Sequence, residues 1–121
     1  MPGLEDKLKA LMTPMLKKKL YIVWTEPTGK TAPDMQAALA EHLEFQISLE
    51  REGIMFAAGP IVDDATGRPT GPGCIVYRAE SAAAAAKIAD QDPFHRLGVR
   101  TYKIMPWQVN EGGFNVRINF S

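Results

Sequence analysis

Apolar residues recur along this chain at two different spacings, and the switches between them mark out the elements. Leu4, Leu8, Leu11, Met12 and Met15 come every three or four residues, which predicts a short amphipathic helix. Pro14 ends or kinks it, because proline disfavours helical backbone in the residue before it. Lys17, Lys18 and Lys19 read as a solvated hinge, followed by a strand from Leu20 to Thr25. Thr31 to Glu52 is the best-defined helix. Thr31 and Asp34 resemble a capping box, Pro33 suits the first turn, and Gly53 suits a left-handed C-terminal cap. A second strand runs from Ile54 to Ala58 and ends at Gly59-Pro60. Asp63 to Gly73, rich in Gly, Pro, Asp and Thr, reads as a loop within a long hairpin connection. Cys74 to Ala79 is the third strand. Ser81 caps a helix built mainly of Ala82 to Ala86, with Lys87, Ile88 and Ala89, and the small alanine side chains permit close approach to a sheet. Asp92-Pro93 closes that helix, and Val99 to Trp107 is the fourth strand. Phe114, Val116, Ile118 and Phe120 alternate with polar residues, which predicts a last, half-buried strand.

The order strand, helix, strand, strand, helix, strand predicts an α+β fold with a ferredoxin-like βαββαβ antiparallel sheet. An extra N-terminal helix precedes it and an extra C-terminal strand follows. The expected organisation is an N-terminal helical extension over 1–19, a central domain over 20–109 and a C-terminal strand extension over 110–121. Leu20-Tyr21-Ile22-Val23-Trp24 and Cys74-Ile75-Val76-Tyr77 are apolar on both faces, so these strands are expected to be covered on both sides. Two crossover helices cover one face only. A second copy packed sheet against sheet covers the other, so a homodimer or higher homo-oligomer is expected.

Composition narrows the partners. Fourteen basic residues balance fourteen acidic ones, without the basic excess that phosphate binding requires, so no nucleic acid is expected. No apolar run approaches the roughly 20 residues of a membrane span, so no membrane partner is expected. The charges spread through Met1 to Lys19 do not resemble a signal peptide, and the single cysteine, Cys74, fits a reducing cytoplasm.

Candidate chemistry is sparse. On a wheel of 100° per residue, Leu39, Leu43, Ala38, Phe45 and Leu49 define one apolar face of the long helix, with His42 near its middle and Gln46 one turn further on. A lone histidine there is most often a core residue bonded to a backbone carbonyl, and an aspartate before proline, as in Asp92-Pro93-Phe94, most often organises a turn. If the two meet, the carboxylate fixes the imidazole tautomer and the pair can serve as a general acid–base dyad. His95, in a turn after Phe94, is expected at the surface or at a substrate mouth. Two histidines so far apart, without paired cysteines, carry no metal signature, and no cofactor is expected. Cys74 reads as a small core residue, while Arg78, Arg96 and Arg100 are candidates for holding a carboxylate or for lining the solvent.

Several of these stretches resemble the YCII-related family: Leu20-Tyr21-Ile22-Val23, the helix carrying His42, Glu52 to Pro60 with its Gly59-Pro60, and Asp90-Gln91-Asp92-Pro93-Phe94 ahead of Gly98-Val99. The resemblance covers roughly Leu20 to Trp107. It implies a dimeric α+β barrel, an architecture shared with muconolactone isomerases and cofactor-free monooxygenases. It also implies a His–Asp pair, which maps onto His42 and Asp92. The expectation is a cofactor-free enzyme moving a proton on a small organic molecule, with Gln46, Gly59, Pro60, Phe94 and His95 around the substrate. The alternative is a non-catalytic small-molecule-binding or structural dimer.

Overall fold

A computed structural model of the protein describes residues 3–121; Met1 and Pro2, at the head of the expected N-terminal extension, lie outside the described residues. In chain order the elements are α1 (Leu4–Met12), β1 (Lys18–Pro27), α2 (Met35–Arg51), β2 (Met55–Val62), β3 (Pro69–Tyr77), α3 (Ala82–Asp90), α4 (Pro93–Arg96) and β4 (Arg100–Val109). The strands form one sheet in the order β2-β3-β1-β4, with β3 antiparallel to both of its neighbours. This is the ferredoxin-like α+β arrangement that the element order predicts. By its internal contacts the chain divides into a larger unit, Leu20–Trp107, and a smaller one made of the segments up to Lys19 and from Gln108 to Ser121. Among the described residues no helix is long and apolar enough to cross a membrane.

Strand pairing builds the core. The register sets Tyr21 opposite Tyr77 and Val23 opposite Ile75. These four side chains point to one face, where Leu49 of α2 and Ala85 and Ala89 of α3 close over them. Ala85 and Ala89 are fully buried, as expected where small side chains let a helix approach a sheet. Ser81 starts α3 by accepting a hydrogen bond from the Ala84 N–H. Gly53, at φ +76°, ends α2. Its N–H donates to the Glu50 carbonyl and the Ile54 N–H to that of Leu49, the paired bonds of a Schellman cap.

Four expectations are corrected. The N-cap of α2 is Asp34, whose carboxylate accepts from the Ala37 N–H, so Thr31 and Pro33 lie outside the helix rather than in its first turn. The Gly- and Pro-rich stretch is not a loop over 63–73: β2 runs on through Gly59-Pro60 to Val62 and β3 begins at Pro69, leaving a short turn between. Pro60 is tolerated because β2 is an edge strand, and register shifts on either side of it absorb the misfit. Phe114 to Phe120 form no strand; residues 110–121 carry neither helix nor strand, and Phe114, Val116, Ile118 and Phe120 are exposed. Alternation supplies a strand's side-chain pattern but not the hydrogen-bonded neighbour that makes it one. Finally, α2 buries Ala38, Gln46 and Leu49, with Phe45 packed against the core, whereas Leu39 and Leu43 stay 46% and 49% exposed. The stripe seated on the sheet is the one carrying His42 and Gln46, and the neighbouring stripe is the more apolar.

The glycine cap gives the first prediction. A Cβ at Gly53 meets no atom within 4 Å, so its cost is backbone strain alone. Gly53→Ala should lower stability by about 1 kcal/mol, the price of a left-handed L-residue. Urea unfolding should show the midpoint falling with the slope unchanged; an unaltered midpoint contradicts the cap.

Candidate active site

Asp92 occupies the corner between α3 and α4, and its position follows from local sequence. Proline at 93 keeps Asp92 in extended backbone and supplies the first residue of α4, while the Asp92 carboxylate caps that turn by accepting from the Phe94 N–H at 2.9 Å. The same carboxylate is 1% exposed. It accepts from His42 Nδ1, 2.9 Å from both of its oxygens, and Oδ2 accepts from Gln46 Nε2 at 2.8 Å. Asp92 therefore both organises a turn, its commoner role, and meets His42. One turn of helix separates His42 from Gln46, so both reach the same carboxylate from the buried stripe of α2.

Electrostatics set the protons. Burial, the largest single influence on the Asp92 carboxyl, pushes its pKa up; the hydrogen bond and charge of His42, the Phe94 N–H and the charge of His95 together outweigh it and hold the group below its ordinary value. An ionised carboxylate only accepts, so His42 Nδ1 carries the proton. In the neutral ring Nε2 is then a free acceptor, and among the described residues it has no hydrogen-bond partner. Phe94 stacks on the imidazole with ring centroids 4.4 Å apart and planes 18° from parallel. The His42 side chain is 20% exposed, enough for a ligand to reach it.

His42 opens on a cleft of about 440 Å³. Gln46, Gly59, Pro60 and Phe94 line it, as do Leu43 and Ile47 from the exposed stripe of α2 and Pro72 and Gly73 from the hairpin. His95 does not line it, which corrects the surface or mouth position expected of that residue. The turn of α4 swings its ring inward, half-buried, where Nδ1 donates to the Ala89 carbonyl at 2.7 Å and Nε2 lies 2.9 Å from Thr25 Oγ1. Tyr102 packs against it at 4.7 Å between centroids.

Two further residues shape the site without having been singled out in the sequence. Thr25 is buried on the core-facing row of β1, after Tyr21 and Val23, and accepts from Arg100 Nε at 3.1 Å. Its signal was a polar residue in an apolar inward row. The Tyr77 hydroxyl is buried without a hydrogen-bond partner among the described residues, as is Gln46 Oε1. Burial first of all, opposed by Gln46 and reinforced by the Asp92 charge, pushes the Tyr77 pKa far up, so its phenol stays protonated. Among the described residues no group of three or more His, Cys, Asp or Glu side chains is placed to hold a metal ion.

The depressed Asp92 pKa has a consequence for acid stability. In the unfolded chain the group titrates near 3.8 and in the folded chain lower. Between those values the unfolded state binds more protons, so the contribution is complete above the unfolded value and is lost as pH falls through the folded one. Asp92→Asn should flatten this acid limb in a series of melts from neutral pH downward; a limb as steep as wild type rules out the ionised, His42-bound carboxylate.

Comparison with known proteins agrees with this architecture. No curated protein matches the chain closely enough to count. Among solved structures, the 5-chloro-2-hydroxyhydroquinone dehydrochlorinase of Burkholderia phenoliruptrix AC1100, in complex with 2,5-dihydroxybenzoquinone, is similar at 17% sequence identity and a TM-score of 0.53. The alignment covers 73% of this chain and 92% of that one, a likeness of fold. The YCII-related domain matches residues 19–108, the span that holds the whole sheet core and every residue of the cleft, and the chain belongs to the YCII-related family.

Proposed function

We propose that the protein is a cofactor-free enzyme that moves a proton on a small ring compound, with His42 as the general base and acid and Asp92 as its positioning partner. The observation that carries this reading is the orientation of His42: Nδ1–H is committed to a buried carboxylate, while Nε2 has no partner among the described residues and its ring lines the cleft. In the reaction Nε2 takes a proton from a substrate C–H or O–H, and the electron pair left behind moves into the conjugated system. The resulting imidazolium is stabilised by Asp92. In an isomerisation the proton returns to another carbon. In an elimination the leaving group departs with its bonding pair and the proton passes to solvent. The fold neighbour's name describes such an elimination, and its bound ligand is a hydroxylated ring, so this chemistry is compatible with the fold. Gln46 holds Asp92 while lining the cleft, and Gly59, Pro60 and Phe94 border the substrate.

The reading includes a homodimer. α2 and α3 lie on one face of the sheet, whereas alternation places Ile22 and Trp24 of β1 and Trp107 of β4 on the other. Ile22 and Trp24 are half-buried and Trp107 is exposed. A second copy stacked on that face would shield them.

Turnover should be screened on chlorinated and hydroxylated hydroquinones, enolisable ketones and lactones. With any substrate so found, His42→Gln should lower kcat by about 10²–10⁴-fold, the usual contribution of general acid–base catalysis. Asp92→Asn should lower kcat while KM changes little. Nitrogen NMR of the imidazole should show the Nδ1–H tautomer of His42 in the wild type and its loss in Asp92→Asn. Unchanged turnover in both variants removes the dyad, and tight binding without product assigns the cleft to capture rather than catalysis. Sedimentation equilibrium should give twice the chain mass; a monomer refutes the sheet-to-sheet pairing.

A further inference from the structure

We propose that Arg100 is the anion-holding residue of the His42 cleft, and that its ligand is a small planar molecule bearing an anionic oxygen. This deepens the catalytic reading and rests on the same cleft being the substrate site. Arg100 lines that cleft together with His42 and is half-buried at the start of β4. Its guanidinium makes three hydrogen bonds. Nε donates to Thr25 Oγ1 at 3.1 Å, and Nη2 donates to the carbonyls of Thr25 at 3.1 Å and Gly71 at 2.6 Å. All three acceptors are neutral. Among the described residues no carboxylate lies within the 4.0 Å of an ion pair with it, although the charges of Asp92 and Glu26 reach it from further away. Among the described residues Nη1 donates to no acceptor.

A partly desolvated cation without a paired counter-charge is unfavourable by itself and becomes favourable when an anion arrives. The three existing bonds fix the guanidinium to β1 and to the hairpin, so a ligand need not freeze its rotamers. A chain of hydrogen bonds fixes the proton positions behind it. His95 Nδ1 donates to the Ala89 carbonyl, so in the neutral ring Nε2 accepts from the Thr25 hydroxyl, which leaves Thr25 Oγ1 to accept from Arg100. Room for this arrangement comes from Gly73: a Cβ there would lie 3.0 Å from Thr25 Cγ2 and 3.9 Å from Arg100 Nη2. The other arginines of the central unit's candidate set do not share these features. Arg78 lies 5.3 Å above the Phe56 ring and donates to the Gly53 and Met55 carbonyls, and Arg96 is exposed; neither lines the cleft. A planar ligand is matched to the aromatic part of the lining, the His42 imidazole and its stacked partner Phe94, while Pro60 and Pro72 add apolar surface to the same cleft. Held by Arg100, a carboxylate, phenolate or enolate oxygen would keep its charge while His42 takes a proton elsewhere on the ring.

The test compares two isosteric probes, 2,5-dihydroxybenzoate and 2,5-dihydroxybenzamide, by calorimetric titration into the full chain at neutral pH. The wild type should prefer the benzoate by about tenfold or more, as one charge-assisted contact implies. Arg100→Met should bind the two nearly equally, and Arg100→Lys should keep part of the preference. The Arg100 Nε–H resonance of the wild type should shift with the benzoate and not with the benzamide, a readout that needs no variant to fold. Equal affinity in the wild type, no benzoate binding, an Nε–H resonance unmoved by benzoate, or a preference that survives in Arg100→Met overturns the assignment. His42→Gln separates the two ideas: loss of turnover with the anion preference intact supports both, whereas intact turnover with an intact preference removes the base and leaves Arg100 as anchor.

Discussion

The buried carboxylate of Asp92 is the interaction on which the site depends. A charge that is 1% exposed must be matched by donors or it is expelled or neutralised. Three donors match it here: the His42 imidazole, the Gln46 amide and the Phe94 backbone N–H. The first two belong to α2 and the third to α4, so one carboxylate ties the long helix to the second crossover. Breaking such a buried pair from one side typically costs about 3–5 kcal/mol, a large part of a small domain's stability. Two functions usually kept apart, turn capping and imidazole orientation, thus fall to a single residue.

Around that carboxylate the cleft is assembled from residues that local rules would place elsewhere. Leu43 and Ile47 sit on the outward stripe of α2, and Gly59, Pro60, Pro72 and Gly73 sit in strands despite their composition. Glycine and proline leave these strands thin or irregular, which opens space beside His42 instead of filling it with side chains. A second polar network, from Arg100 through Thr25 and His95 to the Ala89 carbonyl, runs along β1 and α4. The networks differ in sign: one holds a carboxylate, the other a guanidinium. Both reach the same cleft, one through His42 and Gln46 and the other through Thr25 and Arg100.

The sequence by itself determined the element order, hence the ferredoxin-like topology, because period and punctuation are local: a continuous apolar run at β1, caps at Ser81 and Gly53, an alanine run in α3. It also singled out His42 and Asp92 as residues of interest, together with the family they resemble. Their contact belonged to the tertiary structure, since residues fifty apart meet only once α2 and α4 lie on the same sheet face. The tertiary structure likewise seated the His42–Gln46 stripe of α2 in place of the more apolar one, where these two side chains supply donors that the buried Asp92 carboxylate requires. It carried the Gly- and Pro-rich arms into a hairpin, which composition reads as loop because it sees the lost hydrogen bonds but not the pairing of β2 with β3, nor the edge position of β2 where the Pro60 donor is not needed. It left residues 110–121 without a strand, because a strand exists only within a hydrogen-bonded ladder. And it joined Thr25, not singled out in the sequence, to the candidates His95 and Arg100 in one connected network, because hydrogen bonds between β1, α4 and β4 are long-range and leave no periodic mark in the sequence.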